Sequence, residues 1–150
     1  MKNYRIEKQI ELKAPVSRVW RALTDYREFS QWFGVKMKGP FKAGRKAQGQ
    51  ITYPGFEHLT LEVVVQKIEP ETYFSYKWHP FAIDPDVDYS KETPTLVEFH
   101  LAETKSGSRL TVVETGFDKV PAGRRAQAFR MNSSGWAEQM KNIKKHVAKK

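Results

Sequence analysis

The chain of 150 residues contains no cysteine. Disulfide staples, thiolate zinc sites and cysteine nucleophiles are thereby excluded, and a reducing cytoplasm is the expected compartment. Long apolar runs are also missing. The longest purely aliphatic stretch is Val63-Val64-Val65, far short of the roughly 20 residues that a membrane-spanning helix needs. Met1-Lys2-Asn3-Tyr4 leads straight into an alternating segment, without the apolar core of a signal peptide, so a soluble intracellular domain is expected. No serine sits in a G-x-S-x-G elbow, and Gly39, Gly44 and Gly49 are spaced for turns rather than for a phosphate. His58, His79, His100 and His146 fall in separate segments without metal-ligand spacing. Asp84, Asp86 and Asp88 begin like a calcium loop, but Tyr89 stands where its glycine belongs and Thr95 where its glutamate belongs. No metal and no cofactor are expected.

What the chain does have is positive charge, a formal +9. Lys141, Lys144, Lys145, Lys149 and Lys150 crowd the last segment, with Arg124, Arg125 and Arg130 before them. No nucleic-acid motif accompanies these residues, so they read as a solvated helix face and no nucleic-acid partner is expected. The length fits one domain, residues 1–150, large enough to bury a substantial core.

The segment from Ala14 to Phe33 is the densest in structural information. Pro15 suits a first helical turn, because it has no N–H to leave unpaired and its φ is already fixed. Val16, Val19, Trp20 and Leu23 recur at helical spacing. Asp25 followed by Glu28 is a capping-box pattern for a second short helix through Trp32. Tyr4 to Leu12 alternates apolar and polar residues as a half-buried strand. Further strands are expected at 46–53, 59–68, 72–79, 95–102 and 109–117, with turns and room for a short strand between Gly34 and Gly44. The last two strands form a hairpin around Lys105-Ser106-Gly107. Pro80 to Pro94 reads as a long loop. From Pro121 to Val147 the period becomes helical, with Ala122, Ala126, Phe129, Ser133, Trp136, Met140, Ile143 and Val147 on one face and weak helix formers at Ser133-Ser134-Gly135, where a kink is expected. The fold class is therefore α+β: a curved antiparallel sheet of about six strands wrapped around a long C-terminal helix, with two short helices after the first strand.

These residues resemble the START-like helix-grip (SRPBCC) superfamily. Within it they resemble the branch named for the carboxy-terminal domain of the activator of Hsp90 ATPase. The resemblance is carried by Ala14-Pro15-x-x-x-Val19-Trp20-x-Ala22-Leu23-Thr24-Asp25, Trp32-Phe33, Glu114-Thr115-Gly116-Phe117, and Gly135-Trp136 followed by Met140 and Ile143. It spans about Asn3 to Val147. The resemblance implies a cavity between sheet and last helix for a lipid, hormone, polyketide or other hydrophobic molecule, with a role in stress response or regulation. It also implies two alternatives: an enzyme of the polyketide cyclase/dehydratase or hydrolase type, and a co-chaperone-like module with an Hsp90-type partner.

Candidate site residues follow from which side chains face that cavity. Tyr76 and Trp78 precede the long loop that could gate it, Phe99 shares the aromatic inner face, and Phe129 and Trp136 lie on the helix that closes it. Glu114 alternates with Leu110 and Val112 and so shares their inward face. It can orient a ligand, act as an acid or base, pair with Arg130, or cap a turn. Asn132, Ser133 and Ser134 are weak helix formers that face either the cavity or a bend. Tyr76, Trp78, Phe99, Glu114, Phe129, Ser133 and Trp136 are the expected ligand-binding set, for a small hydrophobic or aromatic molecule and without catalytic residues.

Overall fold

The computed structural model describes residues 4–148. Alternation of apolar and polar residues builds seven strands: β1 (Ile6–Leu12), β2 (Val35–Met37), β3 (Lys46–Ile51), β4 (Thr60–Glu69), β5 (Tyr73–Trp78), β6 (Thr95–Thr104) and β7 (Gly107–Thr115). They form one sheet in the order β1-β7-β6-β5-β4-β3-β2, with every neighbouring pair antiparallel. The sheet has one more strand than the periodicity predicts. The addition is β2, which falls in the Gly34–Gly44 span that leaves room for a short strand, its three residues being too few to display a period. Three helices complete the fold: α1 (Val16–Thr24), α2 (Tyr26–Phe33) and α3 (Ala122–Ala148).

The helix starts differ from expectation in detail. Pro15 is the cap of α1 rather than its first residue, and its carbonyl accepts from Arg18 and Val19. Asp25 caps α2 by accepting from the Arg27 N–H at 2.9 Å. The reciprocal half of a capping box does not form, because the Asp25 N–H is already bonded to the Arg21 carbonyl. Glu28 instead accepts from Arg18 at 2.6 Å and Arg21 at 2.7 Å, and lies 2.9 Å from His146 Nε2. That cluster ties α1, α2 and the end of α3 together and lowers the Glu28 carboxyl against its own desolvation. Gly34 ends α2 at φ 90°, in the left-handed region that glycine enters without strain.

The core lies between the concave face of the sheet and α3. Val63, Val65, Phe74, Tyr76, Val97, Phe99, Leu110 and Val112 are buried on the sheet side, and Ala128, Trp136, Met140, Ile143 and Val147 on the helix side. Ala122 and Ala126 are exposed, since the buried face begins at Ala128. The helix runs without interruption through Ser133-Ser134-Gly135. Trp32 donates its indole N–H to the Ala22 carbonyl at 2.8 Å, fixing α2 against α1. Lys149 and Lys150 lie outside the described residues. Among the described residues no helix is long and apolar enough to cross a membrane.

Candidate functional site

Strand register brings one carboxylate under several donors. Glu114 is near the end of β7, opposite Val97 of β6. Trp78 ends β5 and faces Thr95, the first residue of β6. Asn132 and Trp136 are four residues apart on α3, so they share a face one turn from each other. All four side chains converge on Glu114. The Trp78 indole donates at 2.8 Å, the Trp136 indole at 2.8 Å, the Thr95 hydroxyl at 2.6 Å and the Asn132 amide at 3.0 Å.

Every one of these donors is neutral. Arg130 is not among them: two residues before Asn132 is about 200° around the helix, and its side chain is exposed. Glu114 is fully buried. Burial pushes its carboxyl above the ordinary range, opposed by the bonds from Thr95, Trp78, Trp136 and Asn132. Beside it Tyr76 is also fully buried, and its hydroxyl has no hydrogen-bond partner. Burial, with the negative charge of Glu114, pushes the Tyr76 phenol well above its ordinary value.

Trp78 is also the wall between two adjoining hollows, and Trp136 lines the smaller of them. Their rings stack with centroids 5.6 Å apart, and Phe33 meets each of them at 6.1 Å. On one side lies a cleft of about 410 Å³, bounded by Ile51, Leu61, Trp78, Phe81, Ile83 and Asn132, among others. On the other is a pocket of about 170 Å³ against Phe33, Trp78, Met131, Asn132, Gly135 and Trp136. Phe33, Trp78 and Asn132 border both.

The outer wall of the cleft is the segment 79–94, and one side chain pins it. Arg124 near the start of α3 donates to Glu92 at 2.6 Å and to the Pro80 carbonyl at 2.7 Å, and its guanidinium lies 4.7 Å from the Tyr89 ring centroid. His79 Nε2 lies 2.9 Å from the Glu92 carbonyl. Phe81, which lines the cleft, sits at φ 50°, an uncommon conformation for an aromatic residue that surrounding contacts must hold. Replacing Arg124 with Met removes those contacts while keeping an apolar stem. The expected result is faster hydrogen exchange and proteolysis confined to 79–94, with a stability loss of about 1–2 kcal/mol. Unchanged exchange in that segment would show that Arg124 does not hold it.

The predicted site residues therefore separate into groups. Trp78 lines both hollows and Trp136 the smaller one. Glu114 lies behind that wall, out of contact with solvent. Tyr76 and Phe99 are fully buried in the aromatic core, with ring centroids 5.9 Å apart. Phe129 points elsewhere: it packs edge-on between Tyr4 and Phe117, at 5.4 and 5.3 Å, and borders neither hollow. Ser133 is half-buried and borders neither. Asn132, its neighbour, reaches both the carboxylate and the hollows. Arg124 carries no sequence signal of its role, because its partners lie 32 and 44 positions away.

The aspartates of the loop serve local turns, Asp84 accepting from the Asp86 N–H and Asp88 from the Ser90 N–H. Among the described residues no cluster of His, Asp and Glu is arranged to hold a metal.

A model of the family described as "Activator of Hsp90 ATPase homolog 1-like protein" matches residues 13–148. Among solved structures, MLL2253 from Mesorhizobium loti is 24% identical and superposes with a TM-score of 0.75 over 96% of each chain. A protein from Arthrobacter aurescens is 18% identical with a TM-score of 0.77, over 100% of this chain and 91% of that one. DynU16, from the dynemicin biosynthetic locus, is 20% identical with a TM-score of 0.75; the match takes in 99% of this chain and 48% of DynU16. At such identities the likeness is one of fold. No curated protein matches the chain.

Proposed function

Since this chain belongs to the activator of Hsp90 ATPase homolog 1-like family, a branch of the START-like helix-grip superfamily, we propose that it is a single binding domain for a small apolar, ring-containing molecule. The molecule occupies the cleft between the sheet, α3 and the 79–94 segment. The observation that carries this reading is the aromatic wall of Phe33 and Trp78, which bounds a cleft of about 410 Å³ and, with Trp136, the 170 Å³ pocket adjoining it. An apolar cleft with a few convergent polar groups is the usual form of a small-molecule site. Asn132 and His79 supply such groups here.

Binding is favoured over catalysis by the position of Glu114. Its carboxylate is engaged by four side chains and is separated from the cleft by Trp78 and Asn132. A general acid must lie within hydrogen-bond reach of the group it protonates. Among the described residues the cleft lining has no buried carboxylate, Glu62 being an exposed rim residue bonded to Gln48 and paired with Lys46.

Titration with the neutral fluorophore N-phenyl-1-naphthylamine tests the reading. Saturable binding at one site is expected, weakened about tenfold by Leu61→Asp, which puts a charge on the cleft wall and must be desolvated by an apolar ligand. Binding that ignores this substitution would place the ligand elsewhere. No binding of the fluorophore, together with no copurified apolar compound in native mass spectra, would overturn the proposal.

A further inference from the structure

The chain carries 26 lysines and arginines and a formal charge of +9. Among the described residues none of them borders the cleft or the pocket beside it. Arg124, which reaches the loop over the cleft, is neutralised by Glu92 at 2.6 Å. The charges that do face these hollows are negative. Glu62 stands at the rim of the cleft, but Lys46 at 3.7 Å offsets its charge, so the uncompensated one is that of Glu114. Glu114 lies one side chain behind the pocket wall, and its partners Thr95, Trp78, Trp136 and Asn132 bring it hydrogen bonds but no positive charge.

The rings in front of Glu114 are suited to a cation as well. Phe33, Trp78 and Trp136 meet at one corner of the 170 Å³ pocket. A cation is attracted to the negative face of an aromatic ring, most strongly to that of tryptophan. Both indoles donate their N–H to the Glu114 carboxylate, which polarises them toward greater negative charge on the face. Gly135 keeps the pocket open, since a Cβ built there meets nothing within 4 Å.

Resting on the reading of the cleft as a ligand site, we propose that its ligand is a lipophilic cation. An amine or quaternary ammonium head sits in the pocket against Trp78 and Trp136, with Glu114 behind, and the apolar body lies in the cleft.

Three probes of nearly equal shape separate charge from size: benzyltrimethylammonium, its uncharged isostere neopentylbenzene, and the anion benzylsulfonate. Isothermal titration or ligand-observed NMR should rank the cation at least about tenfold tighter than the neutral probe, with the anion weakest. The overall charge of +9 acts in the opposite direction, so this order cannot come from bulk attraction. Gly135→Leu fills the pocket from an open position and should abolish the preference without loss of stability, leucine being the better helix former. Glu114→Gln should reduce it below threefold. Should that variant fail to fold, Trp78→Phe, which lacks the N–H, takes its place. Equal or tighter binding of neopentylbenzene overturns the cationic ligand and leaves the cleft reading standing. Failure of all three probes while N-phenyl-1-naphthylamine still binds overturns the cationic ligand alone, and failure of the fluorophore as well, with no copurified apolar compound, overturns both. A preference that survives Gly135→Leu and the folded carboxylate or indole variant also overturns it.

Discussion

Replacing Glu114 with leucine should cost the protein about 3 kcal/mol of stability, a fall in Tm of roughly 6–12 °C for a domain of this size. The loss comes from the donors left behind. The indoles of Trp78 and Trp136 have no acceptor function, so without the carboxylate their N–H groups are stranded. Thr95 has a second acceptor in the Trp78 carbonyl at 3.4 Å and suffers less. A triple variant, Glu114→Leu with Trp78→Phe and Trp136→Phe, removes donors and acceptor together. It should recover a large part of the loss, as apolar replacement of a whole buried polar cluster generally does. Thermal and urea unfolding of the wild type, single and triple variants measure both effects. A single variant as stable as the wild type would show that the four bonds contribute nothing net.

The same residue sets a sign for the pH dependence. The folded-state pKa of Glu114 is raised above the ordinary 4.5. Between those two values the native state holds more protons than the unfolded chain, so this group's contribution to stability falls as the pH rises through that window. Glu28 acts in the opposite sense. Its pKa is lowered by His146, Arg18 and Arg21 against its own desolvation, so its contribution is present above 4.5 and is lost as the pH falls below it. Glu114→Leu should remove the first trend and leave the second.

Gly107→Ala should be at least as damaging, about 3 kcal/mol or more, although it adds only one methyl group. The residue opens β7 directly after the hairpin turn, where the chain passes against the end of β1. A Cβ at Gly107 would lie 2.1 Å from the Leu12 carbonyl oxygen and 2.8 Å from the Ala14 nitrogen. Those are backbone atoms and cannot step aside as a flexible side chain can. The neighbouring Ser108 hydroxyl donates to the Ala14 carbonyl at 2.6 Å, holding the corner shut. Gly55→Ala provides the contrast: it also has a positive φ, but a Cβ there meets nothing within 4 Å, so only the local backbone cost of roughly 1 kcal/mol is expected. Equal stability losses at the two positions would contradict the close approach.

These residues also mark how far the sequence can be read. Strand alternation and the helical face from Phe129 to Val147 locate the sheet and the closing helix, because both are local periodic signals. The turn at Lys105-Ser106-Gly107 is visible for the same reason. What the glycine must avoid is not, since Leu12 and Ala14 lie more than ninety positions away. The turn-rich span from Gly34 to Gly44 leaves room for β2, but three residues carry no period that could place it. The inward face of Glu114 is legible from Leu110 and Val112, but its partners are not. Arg130 is near Glu114 in sequence and has the complementary charge, yet the helix turns it outward and presents Asn132 and Trp136 instead. Phe129 shows the limit of a shared face: along a helix of 27 residues, one face crosses several environments. Its ring meets Tyr4 and Phe117, well before the turn that carries Trp136.

A ligand in the proposed site touches Trp78 and Trp136, and the chain contains its own controls. Of its four tryptophans, Trp78 and Trp136 border the pocket, Trp32 is buried between α1 and α2, and Trp20 packs against the core from α1. Four assigned indole N–H signals in a proton–nitrogen correlation spectrum can therefore be followed while N-phenyl-1-naphthylamine is added. Saturable shifts of the Trp78 and Trp136 signals are expected, with those of Trp20 and Trp32 stationary. Saturable binding that leaves Trp78 and Trp136 unmoved would contradict this placement of the ligand.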